Sequence, residues 1–135
     1  MTLPITLNQC GVNAIWTVEV GSPASSDNSV RSAVNTASQL LYPADPKRRY
    51  RLSDISWSFT QTLALMPTGV FLIIQLNPGG VVYQLEIADP APRSVAFRTP
   101  LQIGYNTEMK ITMGAGGAGR VSCLNANVCT YGAEV

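Results

Sequence analysis

The residues that most often perform acid–base and nucleophilic chemistry are scarce in this chain of 135 residues. Histidine is absent, which removes the commonest general base near neutral pH, the Ser-His-Asp and Cys-His arrangements, and the commonest metal ligand. Carboxylates remain as acid–base candidates, and two of them close together could act as a glycosidase pair. No spacing brings two together among Asp54, Glu86, Asp89 and Glu108. The sequence therefore predicts no catalytic residues and a protein that is not an enzyme.

The three cysteines, Cys10, Cys123 and Cys129, predict neither a disulfide framework nor a metal centre. Their number is odd, and the separation of Cys123 from Cys129 is not the paired spacing of zinc sites. We expect thiols that pack as small apolar side chains in a reducing compartment. Pairing of Cys123 with Cys129 is left open, and no metal or cofactor is predicted.

The glycine-rich segment 114–119 resembles a phosphate-binding loop only in its glycine content. No helix is predicted after it, and no Lys followed by Ser or Thr closes it. We expect a flexible hairpin loop between two strands.

A basic cluster over Lys47–Arg51 contains four of the nine cations. Such a cluster is typical of a solvated strand edge that discourages aggregation, of a contact for an acidic protein, or of a nucleic-acid patch. Tyr50 is its only aromatic residue, too few for base stacking, and a net charge of +1 provides no field for nucleic acid or anionic membrane. An acidic protein partner is expected to contact Arg48, Arg49 and Arg51.

Aromatic residues are candidates for a sugar-binding face, because sugars stack on aromatic rings: Trp16, Trp57, Tyr83 and Tyr105. Trp57 alternates with Ile55 and Phe59, a pattern that predicts a core position instead.

The elements that position these residues belong to a short, weakly charged chain. Charged residues make up 13% and hydrophobic residues 46%, which excludes a disordered charged tail and favours a surface that meets another protein. The length predicts one domain. The longest apolar run, Val70–Ile74, is far shorter than the ~20 residues that span a bilayer. The beginning of the chain lacks a signal-peptide pattern, so synthesis and retention in the cytoplasm are expected.

Strand patterns dominate, and almost no segment has helical periodicity. We expect seven strands in a body of residues 31–135 and an eighth in an N-terminal arm, residues 1–30. The whole predicts an all-β antiparallel sandwich of jelly-roll type. A bulge is expected at Ser53–Asp54, and a later strand is expected to end at Pro100.

Other body strands are expected from the same patterns. The first lies between Ser32 and Leu41, before Pro43. The apolar segment Gly69–Leu76 predicts a strand covered on both faces, and the turn Asn77–Gly80 joins it to Val81–Ile87 in a hairpin. On a later strand, we expect Met109, Ile111 and Met113 to face inward.

The arm strand, residues 14–20, has apolar side chains on both faces, since Ile15 and Trp16 are adjacent. A lone strand cannot bury both, so it needs a host sheet, either its own or a neighbour's. We therefore expect Ile15, Trp16 and Val18 to make subunit or lattice contacts.

Four segments of the body carry a resemblance to a known family: Arg51–Phe59, Val82–Ile87, Val95–Leu101 and Met109–Asn125. Together they resemble small jelly-roll structural proteins of tailed bacteriophages, which include capsid decoration (cement) proteins that sit as trimers on the head. The most specific parts are Trp57 with its flanking serines and the glycine-rich loop. The arm departs from the family pattern.

The resemblance implies a virion protein that is assembled in the host cytoplasm and binds the outside of the phage head as a homotrimer. Its implied partner is the major capsid protein, bound at capsomer junctions. Two alternatives stay open: a carbohydrate- or receptor-binding jelly-roll module at a fibre tip, and a trimeric jelly roll of the tumour-necrosis-factor or complement type. The missing signal-peptide pattern disfavours the last of these.

Overall fold

A computed structural model describes residues 29–60 and 66–132, and within these ranges every regular element is a β-strand. In chain order the strands are β1 (Ser29–Arg31), β2 (Ser38–Tyr42), β3 (Arg48–Phe59), β4 (Phe71–Asn77), β5 (Gly80–Glu86), β6 (Arg93–Ile103), β7 (Glu108–Met113) and β8 (Ser122–Gly132). The predicted all-β class is confirmed. The described residues contain eight strands, of which β1 crosses the predicted boundary between arm and body at residue 30, and β2 lies where the first strand of the body was predicted. The predicted arm strand, residues 14–20, lies outside the described residues.

The strands form two four-stranded antiparallel sheets, which we call the first sheet (β1-β8-β3-β6) and the second sheet (β2-β7-β4-β5). The strands pair as in one long hairpin folded over on itself: β4 with β5, β3 with β6, β2 with β7 and β1 with β8. These pairs alternate between the second sheet and the first, which is the jelly-roll arrangement. The predicted jelly-roll sandwich is confirmed.

The core lies between the sheets and is built by strict alternation along the strands. On β7, Met109, Ile111 and Met113 are completely buried, as predicted, and they pack with Leu72 and Ile74 of β4. The other buried side chains of β2, β3 and β8 complete a single cluster.

The central strand β3 contains the predicted bulge. Its pairing with both neighbours shifts between Leu52 and Asp54. The extra residue, Ser53, keeps Tyr50 and Leu52 on the inner face together with Ile55 and Trp57, because a bulge resets the two-residue alternation.

The prediction that Pro100 ends a strand is wrong, since β6 continues to Ile103. Its pairing with β3 is interrupted between residues 96 and 101 and then resumes. A proline is tolerated there because β6 is an edge strand, which leaves one side of its backbone without a partner strand.

The glycine-rich loop is not a hairpin loop, because it joins β7 of the second sheet to β8 of the first. It is also held in place: the Gly117 amide donates to Asn35 Oδ1 (3.1 Å) and the Arg120 amide donates to the Gly117 carbonyl (3.1 Å). A Cβ at Gly116 would lie 2.5 Å from the ring of Phe59, so the close approach of the loop to the core requires glycine there.

The strand β4 is not covered on both faces, as its continuous apolar sequence predicted. Leu72 and Ile74 are buried, whereas Phe71 and Ile73 are only half-buried on the outer face. The turn after β4 and the hairpin to β5 are confirmed.

Candidate interaction surface

The four carboxylates considered for catalysis have separate surroundings. Asp54 Oδ2 accepts from Asn127 Nδ2 (3.4 Å), Glu86 Oε2 accepts from the Gly69 amide (3.4 Å), and Glu108 begins β7 opposite Asn77.

The fourth carboxylate, Asp89, pairs with Arg93 at 2.9 Å. The hydrogen bond from Arg93, helped by one from the Ala91 amide, lowers the pKa of Asp89, and the same bond raises the pKa of Arg93. Both side chains are well exposed, so this pair contributes little to stability.

Groups of three or more His, Cys, Asp or Glu side chains that could hold a metal ion are absent from residues 29–60 and 66–132. Cys123 is a free cysteine, half-buried on the outer face of the first sheet. Cys129 is disulfide-bonded, so Cys123 and Cys129 do not pair with each other. The expectation of three reduced thiols is therefore wrong at Cys129, because spacing along the chain does not tell which distant segments meet.

The basic cluster is placed by the turn that precedes β3. Asp45 Oδ1 accepts from the Lys47 amide (2.8 Å), and its Oδ2 lies 3.5 Å from Arg48 Nε. The Asp45 carbonyl also accepts from the amides of Arg48 and Asn106, which ties this turn to the β6–β7 connection.

Tyr50 is the member of the cluster that packs into the core. Its side chain is buried, its ring meets that of Tyr42 edge-on, and its hydroxyl donates to the Pro43 carbonyl. Burial, followed by the nearby Asp45 charge, raises the pKa of Tyr50 to about 12, against a smaller opposing effect of Arg48.

Arg49 is held in a defined position on the outer face of the first sheet. Its Nη2 donates to Gln102 Oε1 (3.3 Å), and its guanidinium lies over the ring of Tyr105, 5.4 Å from the centroid. Tyr105 itself is 45% exposed. A cation that stacks on a ring keeps its charge while losing little further freedom on binding.

Arg51 lies on the same face, since it alternates with the buried Tyr50 and Leu52. We call this region the basic patch: Lys47, Arg48, Arg49, Arg51, Gln102 and Tyr105. Within the preceding turn and β3, four cations stand against two carboxylates, Asp45 and Asp54.

The interpretation of the basic cluster as a solvated strand edge is wrong. β3 lies between β8 and β6 in the first sheet, so its outward side chains lie on the sheet's outer face and not along its edge. Charges at such a position do not protect an edge.

The aromatic residues do not form a shared sugar-binding face among the described residues. Trp57 is a core residue, as predicted. Tyr83 is half-buried and meets the ring of Phe97 edge-on, with centroids 5.4 Å apart. Tyr105 is the exposed one, and its partner is Arg49.

Two features were missed by the sequence analysis. Gln102 and Tyr105 reach the basic patch because β6 pairs with β3 in a register that sets Gln102 opposite Arg51. The exposed apolar side chains of β5, Val81, Val82 and Leu85, were assigned to an ordinary hairpin. The two adjacent valines, Val81 and Val82, are the sequence signal that could have indicated an exposed apolar surface on this strand.

The arm residues Ile15, Trp16 and Val18, and Cys10, lie outside the described residues. No helix in the described part of the chain is both long and apolar enough to cross a membrane. No protein-family model matches this chain, and no curated protein matches it. What supports a function is therefore the fold and the chemistry of its surfaces.

Proposed function

We propose that this protein is a capsid decoration protein of a tailed bacteriophage, which binds the outside of the head at capsomer junctions as a homotrimer. Its resemblance to phage jelly-roll proteins supports the proposal, and a jelly-roll sandwich is the fold that the resemblance implies. The observation that carries the contact is the position of Arg49, which is held by Gln102 and Tyr105 on the outer face of the first sheet.

In this proposal the basic patch contacts acidic side chains of the major capsid protein. Arg48, Arg49 and Arg51 supply guanidinium groups, which pair with carboxylates through two parallel hydrogen bonds. The arm residues Ile15, Trp16 and Val18 add an apolar contact to a neighbouring subunit or to the lattice.

The stabilising effect follows from mass action. A protein that binds the closed lattice and not its separated parts raises the free energy needed to open the shell. Three linked copies bind more tightly than one, because the second and third contacts form at a high effective concentration.

The direct test is binding to purified phage heads, measured by co-sedimentation of wild type and Arg49→Glu. We expect the charge reversal to weaken binding by about tenfold or more, since it removes a charge-assisted hydrogen bond and adds repulsion. Lys110→Glu is the matched control, because Lys110 lies on the outer face of the second sheet. It should bind as the wild type does.

The outcomes separate the parts of the proposal. Wild type that does not bind heads would overturn the decoration function. Equal binding of Arg49→Glu and wild type would overturn the arginine contact alone. Deletion of residues 1–20 without change in binding would overturn the contribution of the arm.

A second candidate function is a carbohydrate- or receptor-binding module of a phage particle. The exposed ring of Tyr105 beside Arg49 favours it, because an aromatic ring and a guanidinium are a combination that can hold an acidic sugar. Binding to a glycan array that is lost in Tyr105→Ala would support this candidate. Loss in Tyr83→Ala as well would extend the site to β5.

A further inference from the structure

Four of the described strands lie at sheet edges, and three of them carry features that discourage pairing with another chain. β1 has only three residues and ends at Arg31. β2 has five residues and is followed directly by Pro43. β6 is long but contains Arg93, Arg98 and Pro100. Short length, positive charge and proline are the usual protections of an exposed edge.

β5 is the edge strand without these protections. Its seven residues, Gly80–Glu86, contain no Lys, Arg or Pro, and the single charge is Glu86 at its last position. Among the described strands it has a neighbour, β4, on one side only. Within residues 29–60 and 66–132, no strand pairs with the other side of its backbone.

The side chains of β5 are also unusually apolar for an exposed strand. Val81 is 52%, Val82 47% and Leu85 36% exposed, and these are three of the five large hydrophobic side chains that are exposed in the described residues. A register shift opposite Ile74 and Gln75 leaves Val82 as a bulge residue. This bulge presents an apolar side chain and not a charge.

β5 is held in place by contacts of Tyr83 on the inner side of the strand. Tyr83 packs against the core and meets Phe97 of β6 edge-on, so the edges of the two sheets are joined at this point. A strand that is already ordered loses little conformational entropy when it pairs.

We propose that β5 pairs with β5 of a second copy of this chain, in an antiparallel ladder that joins the two second sheets across a two-fold axis. The charges favour this occupant and this direction. Antiparallel pairing places the two Glu86 side chains at opposite ends of the ladder, whereas parallel pairing would set them side by side. The neutral middle of the strand has no like charges to oppose each other.

This contact is isologous, with the same surface on both copies. It does not rest on the proposed function, and it differs from the contact that closes a ring of three. The pairing therefore doubles whatever assembly the other surfaces form.

Light scattering behind a sizing column tests the pairing with wild type, Val82→Lys and Val34→Lys. Val82→Lys adds a charge to the β5 edge, and Val34→Lys adds the same charge at a side chain that is 59% exposed and lies outside the strands. We expect Val82→Lys to have half the mass of wild type, and Val34→Lys to match wild type. Equal masses for all three proteins would overturn the proposal.

Hydrogen exchange of the wild-type protein keeps the proposal testable if Val82→Lys fails to fold. We expect the amides of residues 80–86 to exchange more slowly at high than at low protein concentration, because the ladder forms only in the pair. Exchange in β5 that is independent of concentration would overturn the pairing. Head binding is measured separately, so its failure would leave this result unaffected.

Discussion

The basic patch and the β5 edge are the two surfaces proposed here to bind partners, and they differ in the chemistry that each would present. The basic patch runs from the turn before β3 onto the outer face of the first sheet and presents guanidinium groups held by Asp45, Gln102 and Tyr105. The β5 edge presents an unpaired backbone flanked by apolar side chains. A contact through the patch is directed by charge, whereas a contact through the edge depends on a hydrogen-bond ladder and on apolar burial.

The two proposed contacts use separate surfaces, so one copy of the chain could form both of them at once. Arg49 and Arg51 are on the outer face of the first sheet, and β5 is at an edge of the second sheet. Both regions are built on the same core, so a substitution in that core should weaken both contacts. A substitution in one region should leave the contact through the other region unchanged.

The largest expected effect comes from breaking the shared core with Ile111→Ala. Ile111 is completely buried and lies between Leu40 and Ile74 in the second sheet. We expect the free energy of unfolding to fall by about 2–5 kcal/mol, because the substitution removes apolar contacts and leaves a cavity. Urea denaturation followed by circular dichroism measures it.

The matched control for this core change is Val34→Ala, at an exposed position. It should change the free energy of unfolding by less than about 0.5 kcal/mol. A loss below about 1 kcal/mol in Ile111→Ala would contradict the view that the two regions share one close-packed core.

A smaller effect should come from raising the pH, through Tyr50 beneath the basic patch. Its pKa is raised to about 12 from its ordinary value of 10.0, so the unfolded chain loses this proton at a lower pH than the folded chain. The stabilisation is present below pH 10 and is lost as the pH rises to about 12. We expect wild type to lose about 2 kcal/mol over this range that Tyr50→Phe does not lose.

Urea denaturation of both proteins at pH 7, 10 and 12 measures this difference. Tyr105→Phe is the control, since that hydroxyl belongs to an exposed side chain, and it should follow the wild type. Parallel curves for wild type and Tyr50→Phe would show that the buried hydroxyl does not anchor the patch.

The smallest expected effect distinguishes the two regions by salt. Raising NaCl from ~0.1 M to ~1 M shortens the Debye length from about 10 Å to about 3 Å. Binding to phage heads through the basic patch should weaken by roughly threefold to tenfold, while pairing through β5 should change by less than about twofold. Sedimentation at both salt concentrations measures the two equilibria. Equal salt dependence of the two would contradict the view that charge directs the contact through the basic patch and not the contact through β5.

Much of the fold was predictable because its signals are local. The alternation of Met109, Ile111 and Met113 identifies an inner face, the three-residue step from Leu52 to Ile55 identifies a bulge, and the Asn-Pro-Gly-Gly turn identifies a hairpin. Each of these depends on residues that are neighbours in the chain.

The candidate site was predictable only in part. The sequence identified Arg48, Arg49 and Arg51 as a cluster and as candidates for an acidic protein contact, but it also allowed a strand edge, which the position of β3 excludes. It could not reveal Gln102 and Tyr105 as neighbours of Arg49, because they are separated from it by more than fifty positions and are joined to it by the β3–β6 register.

The sequence by itself therefore determined which residues face inward and that the chain folds into antiparallel strands. Only the tertiary structure decided which strands lie at the centre and which at the edge. A strand's side-chain pattern records whether its faces are buried, but its place in a sheet depends on the order in which distant strands pair. For this protein that order puts the strongly charged strand β3 inside one sheet and β5, whose single charge is Glu86, at the edge of the other.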